Sequence, residues 1–97
     1  MTAEEAYLYF VKRAQASARA IGKTVVGWEE IWRHFGTQLD KSTIIHQWLP
    51  NSTVAANASA HGYRVLWSNC DCWYLDWTTF TVCLSFLLHY SPFHDAL

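Results

Sequence analysis

Apolar residues near the amino end of this 97-residue chain recur at the spacing of one helical face. Thr2 and Glu5 form a capping-box pattern ahead of that segment, and Gly22 follows it as a residue that tolerates the left-handed turn after a helix. The pattern predicts a helix over residues 3–21, with an apolar stripe formed by Tyr7, Phe10, Val11, Ala14, Ala18 and Ile21.

Three short runs rich in β-branched residues follow and predict strands over residues 23–28, 43–48 and 64–68. The first run lacks a strict alternation of apolar and polar residues, which is typical of a strand buried on both faces. Helical signals separate the runs. The order of elements therefore predicts an α/β fold with about three parallel strands and intervening helices.

The connections between the strands predict where those helices lie. Residues 29–35 indicate a helical turn that carries Ile31 and Trp32 inward. Asn51 or Ser52 is placed to cap the next helix, which is rich in alanine.

Each predicted strand ends in a tryptophan next to polar groups, namely Trp28, Trp48 and Trp67. The carboxyl ends of parallel strands lie at one edge of a sheet, and α/β proteins place their sites there. A surface of indole rings suits a sugar, because its C–H faces stack on aromatic rings while its hydroxyls bind polar groups. From the residues alone, tryptophan at a strand end is more often core packing, and three tryptophans are assigned to the core by default: Trp32, Trp67 and Trp77.

Composition excludes several classes of function. The chain is 52% hydrophobic and 15% charged with a formal net charge of -1, so it offers no basic surface for nucleic acid. Cys70, Cys72 and Cys83 lack the paired spacing of a zinc site, and we expect neither a metal nor a cofactor. We interpret them as packed or partner-seeking thiols, with a disulfide half as the alternative. Glu29 and Glu30 are not expected to form a catalytic pair, because neighbouring residues on a strand point to opposite faces.

The sequence contains conflicting signals for the cellular location of the protein. Residues 1–5 are acidic where a secretory signal would be basic, and the apolar run 80–88 is shorter than the roughly 20 residues that span a bilayer. Asn51 and Asn57 each begin a glycosylation sequon, although sequons also occur by chance. We therefore expect N-glycosylation at these two sites, no membrane span, and a secretory-pathway location (lysosomal, vacuolar or extracellular) for the full-length protein.

The ordered set of strand ends resembles a known family. Residues 25–32 read Val-Val-Gly-Trp-Glu-Glu-Ile-Trp, residues 43–48 read Thr-Ile-Ile-His-Gln-Trp, and residues 62–69 read Gly-Tyr-Arg-Val-Leu-Trp-Ser-Asn ahead of Trp-Tyr-Leu-Asp at 73–76. Over about four fifths of the chain, this set resembles glycoside hydrolase family 20, the β-N-acetylhexosaminidases. The resemblance implies a partial (β/α)₈ TIM barrel, in which the three strands are the family's strands five to seven.

The resemblance also implies an activity. Family 20 enzymes hydrolyse terminal non-reducing N-acetyl-hexosamine residues from β-N-acetylhexosaminides by a retaining route in which the substrate's acetamido oxygen attacks the anomeric carbon. A Glu protonates the leaving oxygen, and a neighbouring Asp orients the acetamido group. That Asp-Glu pair belongs to strand four and is absent from this chain, so we expect the isolated chain to be incomplete and inactive.

Four residues take family roles by their position. Trp28 and Trp48 resemble walls of the aromatic box that packs against the acetamido methyl group and the sugar ring. Tyr74 resembles the phenol that donates a hydrogen bond to the acetamido oxygen and stabilises the oxazolinium ion, which makes it the catalytic candidate in this chain. Asp76 resembles the carboxylate that holds the outer hydroxyls of the sugar.

The resemblance divides the chain into two parts. Residues 1–78 are interpreted as a fragment of the catalytic barrel, and residues 79–97 as an unaligned tail of non-native or disordered sequence. The implied partners are glycans with β-linked N-acetylglucosamine or N-acetylgalactosamine, the missing barrel segments, and a second copy if the full enzyme is a dimer. The alternative function is a non-catalytic carbohydrate-binding or interaction module that uses the same aromatic face.

Overall fold

The structure is a computed structural model that describes residues 1–74, so Asp76, Trp77 and Cys83 lie outside the described residues. Helices and strands alternate along this range. In chain order they are α1 (Ala3–Ala20), β1 (Val26–Trp28), α2 (Glu29–Phe35), a 3₁₀ turn (Gly36–Gln38), β2 (Ile44–Gln47), α3 (Val54–Ala60), β3 (Val65–Trp67) and α4 (Cys70–Trp73).

Local capping determines where α1 begins and ends. The Glu5 amide donates to the Thr2 hydroxyl at 3.1 Å, and the Thr2 amide donates to the Glu5 carboxylate at 2.7 Å. These two bonds satisfy amides that have no partner inside the helix. Gly22 follows the helix with φ of 81°, a left-handed conformation that favours glycine. The capping box is therefore confirmed, and the helix predicted over residues 3–21 is confirmed up to Ala20.

The three strands form one parallel sheet in the order β1-β2-β3. Val26 lies opposite Ile44 and Trp28 lies opposite His46, while Gln47 pairs with Trp67 on the other side of β2. The predicted α/β class with three parallel strands and intervening helices is confirmed. Each strand is shorter than the sequence pattern indicated.

Helices α2 and α3 pack against one face of this sheet. Ile45 of β2 is fully buried there, and Trp32 is 7% exposed, as the prediction for Ile31 and Trp32 required. Gly27 allows this close packing, because a Cβ at that position would lie 2.2 Å from Cδ1 of Ile31. The core consists of Val11, Ile31, Trp32, Phe35, Leu39, Ile45, Val54, Ala58 and Tyr63.

The opposite face of the sheet is open among the described residues. Val26 and Trp28 are about half exposed, so the prediction that the first strand is buried on both faces is wrong. The helices of residues 1–74 lie on the other face of the sheet. Trp67 is also 53% exposed, and its default assignment to the core is wrong. The reason is different here: Trp67 pairs with the buried Gln47 and so lies on the helix-covered face, but its strand β3 is at an edge of the described sheet.

The helical turn predicted over residues 29–35 is confirmed, since α2 spans Glu29–Phe35. Glu29 and Glu30 are therefore helical, and the interpretation that treated them as neighbouring strand residues was wrong. The helix α3 begins after Thr53 rather than directly after Asn51 or Ser52, although the Ser52 hydroxyl still accepts a hydrogen bond from the Val54 amide at 3.2 Å. Within residues 1–74, no helix combines the length and apolar character needed to cross a membrane.

Candidate functional site

An aromatic cavity of about 330 Å³ lies at the carboxyl ends of the strands and is lined by Trp28, Glu30, Trp48 and Tyr74. Trp28 is the last residue of β1, Trp48 directly follows β2, and Tyr74 directly follows α4, which comes after β3. Each of the three strand ends therefore contributes one aromatic side chain. The volume lies at the lower end of the range for small-molecule sites, about 300–1,000 Å³.

The rings of the cavity are held in two stacked arrangements. Trp48 and Tyr74 lie nearly parallel, with 18° between their planes and 6.5 Å between their centroids. Trp28 stacks on His46 at 4.7 Å with an interplanar angle of 21°. His46 is in turn hydrogen-bonded through Nε2 to the Ser68 hydroxyl. His46 therefore supports one face of Trp28 from the neighbouring strand.

The short helix α4 carries Tyr74 to the cavity. The Asn69 side chain caps this helix by accepting from the Asp71 amide at 2.9 Å. The Cys70 amide donates to the Trp48 carbonyl at 2.8 Å, which ties the start of α4 to the end of β2. Cys70 itself is buried, and burial, together with the charge of Asp71, raises the pKa of its thiol. Cys70 is therefore a packed thiol.

Glu29 is a fully buried carboxylate beneath Trp48. Its Oε1 accepts hydrogen bonds from the amides of Trp48 at 2.9 Å and Leu49 at 2.7 Å. Its Oε2 accepts from Arg33 Nη2 at 2.7 Å and from the Ser52 hydroxyl at 2.6 Å. Burial alone would raise the pKa of the Glu29 carboxyl, but these hydrogen bonds outweigh it and hold the pKa below its ordinary value.

Glu30 points to the cavity instead. Its Oε1 accepts a hydrogen bond from the indole Nε1 of Trp48 at 2.9 Å. Successive helical residues are separated by about 100° around the axis, so the side chains of Glu29 and Glu30 diverge from the first turn of α2. The sequence analysis predicted a helical turn over residues 29–35 but treated Glu29 and Glu30 as strand neighbours when it weighed them as a pair, and it did not identify Glu30. The predicted helical turn was the signal that would have found it.

The structure brings together three of the four predicted substrate-binding residues, Trp28, Trp48 and Tyr74, around one cavity. The fourth, Asp76, lies outside the described residues. The sequence analysis did not identify Glu30 or His46, which contact two of these aromatic rings.

The two sequon asparagines lie outside the lining of this cavity. Asn51 is exposed in a turn with φ of 57°, whereas Oδ1 of Asn57 accepts a hydrogen bond from the indole of Trp32 at 3.0 Å. Among residues 1–74, no group of three or more His, Cys, Asp or Glu side chains has the arrangement of a metal site.

The parallel strands and the indole-lined cavity at their carboxyl ends define an α/β protein with an aromatic cavity large enough for a small molecule. Comparison with protein families gives a more specific assignment. The family model described as glycosyl hydrolase family 20, catalytic domain, matches residues 1–83. The chain therefore belongs to glycosyl hydrolase family 20, a family of glycosidases, as the resemblance of the strand ends indicated.

Individual relatives agree with this assignment. Beta-hexosaminidase 3 of Arabidopsis thaliana is 43% identical over 76 residues, which is 78% of this chain and 14% of the relative. Beta-hexosaminidase 1 of the same plant is 45% identical over 75 residues, or 77% of this chain and 14% of the relative. Beta-hexosaminidase of Vibrio furnissii is 31% identical over 74 residues, or 76% of this chain and 12% of the relative.

The chain thus spans about one seventh of the length of the two plant relatives, 14% in each case. No solved structure matches it significantly.

Proposed function

We propose that residues 1–78 form one side of the sugar pocket of a β-N-acetylhexosaminidase that removes terminal non-reducing N-acetyl-hexosamine residues by a retaining, substrate-assisted route. The observation that carries the proposal is the cavity itself, in which Trp28, Trp48 and Tyr74 arrive from three successive strand ends. The names of the relatives, all beta-hexosaminidases, support the same substrate class.

The proposed role of the two tryptophans is to enclose the acetamido group. Trp48 faces Tyr74 across the cavity in a nearly parallel arrangement, and Trp28 rests on His46. An acetamido methyl group packed against these rings would be shielded from water. Intramolecular attack is favoured in such a pocket, because the nucleophilic oxygen is held near the anomeric carbon and is less well solvated.

The proposed role of Tyr74 is to donate its phenolic hydrogen to the acetamido oxygen. Such a donor would orient the oxygen for attack, and the phenol would stabilise the charge that spreads over the oxazolinium ion as it forms in the transition state. Asp76, two residues further on, would hold the outer hydroxyls. No Asp-Glu dipeptide occurs in these 97 residues, so the acid and the orienting carboxylate would be supplied by other parts of the enzyme.

We further propose a secretory-pathway location, with Asn51 as the glycosylated sequon. Both asparagines are exposed, but Asn51 lies in a turn, which suits a bulky glycan, whereas the side chain of Asn57 is bonded to Trp32. The partners of the complete enzyme would be β-linked N-acetylglucosamine or N-acetylgalactosamine glycans, with a dimer as its assembly.

Titration of the 97-residue chain with N-acetylglucosamine, followed by tryptophan fluorescence, tests the pocket. We expect a saturable change that glucosamine, which lacks the acetyl group, does not reproduce. The Trp48→Ala variant is expected to abolish the change, and Trp67→Ala, an exposed tryptophan outside the cavity lining, is the matched control. An equal response to both sugars would contradict the proposal.

Turnover of a chromogenic N-acetylglucosaminide separates an incomplete enzyme from the alternative function. We expect no turnover by the 97-residue chain, because the proton donor is not part of it. Saturable binding by an inactive chain is also what a non-catalytic carbohydrate-binding module would show. Adding the remaining barrel segments distinguishes the two, since only an enzyme segment is expected to gain turnover.

A further inference from the structure

We infer that Glu30 is a positioning residue that holds the indole ring of Trp48 in the orientation needed to recognise an N-acetyl group. The inference rests on the proposed function of the cavity and adds to it a residue that neither the family resemblance nor the family match assigns. It is carried by the 2.9 Å hydrogen bond from Trp48 Nε1 to Glu30 Oε1 and by the place of Glu30 in the lining of the cavity.

Two adjacent carboxylates bind Trp48 at two separate points. Glu29 accepts from the backbone amide of Trp48 at 2.9 Å, which fixes where the residue leaves β2. That contact leaves the two side-chain torsions of the tryptophan undetermined. The bond from the indole nitrogen to Glu30 restricts both torsions, because the nitrogen lies at the edge of the ring, far from the backbone. Glu29 therefore anchors the residue, and Glu30 sets the ring plane.

The orientation of the ring matters because Trp48 forms a wall opposite Tyr74. Their planes differ by 18° and their centroids are 6.5 Å apart. A rotation about either torsion of Trp48 would tilt this wall and place the indole across the space that the acetamido group is proposed to enter. A hydrogen bond to an ionised acceptor is roughly twice as strong as one between neutral groups, so a carboxylate is well suited to this task.

The test uses the full 97-residue chain and the variants Glu30→Ala, Glu30→Gln and Glu4→Ala. Alanine removes the acceptor, glutamine retains an acceptor oxygen of similar reach, and Glu4 is a control glutamate of α1 that pairs with His34. The first readout is the set of indole N–H signals in ¹⁵N–¹H spectra, with the Trp48 signal assigned from Trp48→Phe. The second is the dissociation constant for N-acetylglucosamine.

We expect Glu30→Ala to move the Trp48 indole signal and leave that of Trp32, which donates to Asn57, in place. The same variant should raise the dissociation constant about tenfold, the scale of one hydrogen bond to a charged group. Glu30→Gln should stay within about threefold of the unaltered chain because it restores the acceptor. Glu4→Ala should change neither readout.

Different results would overturn the inference and the proposed function separately. An unmoved Trp48 signal in Glu30→Ala, or a rise in the dissociation constant that glutamine does not reverse, overturns the positioning role. The same holds if Glu30→Ala lowers the melting temperature while the affinity is unchanged, because Glu30 would then be purely structural. If the unaltered chain fails to bind the sugar while the Trp48 signal still responds to Glu30→Ala alone, the proposed function fails and the positioning of the ring stands.

Discussion

Replacing Glu29 with glutamine tests how far the fold around the cavity depends on one buried carboxylate. Glutamine has nearly the same shape but keeps only one acceptor oxygen, and its amide nitrogen donates. The amide nitrogen would replace one of the two carboxylate oxygens. In the Oε1 position it would face the two backbone amides, and in the Oε2 position it would face Arg33 and the Ser52 hydroxyl, so donors would meet another donor in either orientation. The substitution therefore removes hydrogen bonds without opening a cavity.

The expected loss of stability can be estimated from these contacts. A hydrogen bond to a charged group contributes about 1.5–3 kcal/mol, and removing one partner of a buried ion pair costs about 3–5 kcal/mol. The Arg33 side chain is 47% exposed and can be resolvated by water, which reduces its share. We therefore expect Glu29→Gln to lower the free energy of unfolding by about 2–3 kcal/mol.

Urea denaturation followed by circular dichroism measures this loss. With a slope of about 1 kcal/mol per molar urea, typical of small domains, the midpoint should fall by about 2–3 M. Glu4→Gln provides the matched control, because Glu4 forms an exposed pair with His34 and should contribute no more than about 0.5 kcal/mol. Equal midpoints for the two variants would refute the reasoning from burial and hydrogen bonding.

The contribution of Glu29 should also depend on pH in a defined direction. Its hydrogen bonds hold the pKa of the carboxyl below the ordinary value of 4.5, so the folded state binds this proton less tightly than the unfolded state. The stabilisation is therefore fully present above that ordinary value and is lost as pH falls through the folded-state pKa. The midpoints of the unaltered chain and Glu29→Gln should converge in acid; a constant difference would contradict the assignment.

Two further predictions concern the site and its surroundings. In a complete enzyme that contains this segment, Tyr74→Phe should lower kcat more than it raises KM, because a phenol that stabilises the oxazolinium ion acts mainly in the transition state. Steady-state kinetics measures both constants, and the reverse pattern would remove that role. When the chain is directed into the secretory pathway of a eukaryotic host, an attached glycan should slow its migration on a gel until a glycosidase removes it. Asn51→Gln should abolish this shift, and Asn57→Gln should leave it unchanged. The opposite result would contradict the choice of sequon.

Much of the fold could be predicted because its signals are local. The Thr2–Glu5 capping box and Gly22 determine the ends of α1 through contacts within four residues, and the structure contains both features. The convergence of Trp28, Trp48 and Tyr74 was also accessible, because parallel strands joined by helices bring their carboxyl ends to one edge. Here sequence order alone implies proximity in space. The roles assigned to these three residues, and the division of the chain at residue 78, stay predictions.

The predictions of burial failed for the first strand and for Trp67, because the burial of a strand residue depends on which elements cover it. A run such as the one ending in Trp28 is equally consistent with a strand buried on one face or on both, and coverage is decided by elements distant in sequence. Trp67 lies on the helix-covered face beside the buried Gln47, but its strand β3 is at an edge of the described sheet, which leaves the indole 53% exposed. Glu29 and Glu30 were weighed as strand neighbours for a different reason, since the residues after Trp28 fit both a strand end and the helical turn predicted over residues 29–35.

The helical placement of Glu29 and Glu30 matters because the geometry of α2 separates two tasks between these neighbouring carboxylates. On a strand, Glu29 and Glu30 would point to opposite faces of the sheet, and they could not both bind Trp48. In the first turn of a helix they diverge by about 100°. Glu29 therefore reaches the backbone of the β2–α3 connection, and Glu30 reaches the indole ring of Trp48. One buried group thus stabilises the backbone that carries Trp48, while its neighbour orients the side chain. Stability and ring orientation can therefore be changed independently, and this makes the Glu29 and Glu30 variants separate tests of fold and site.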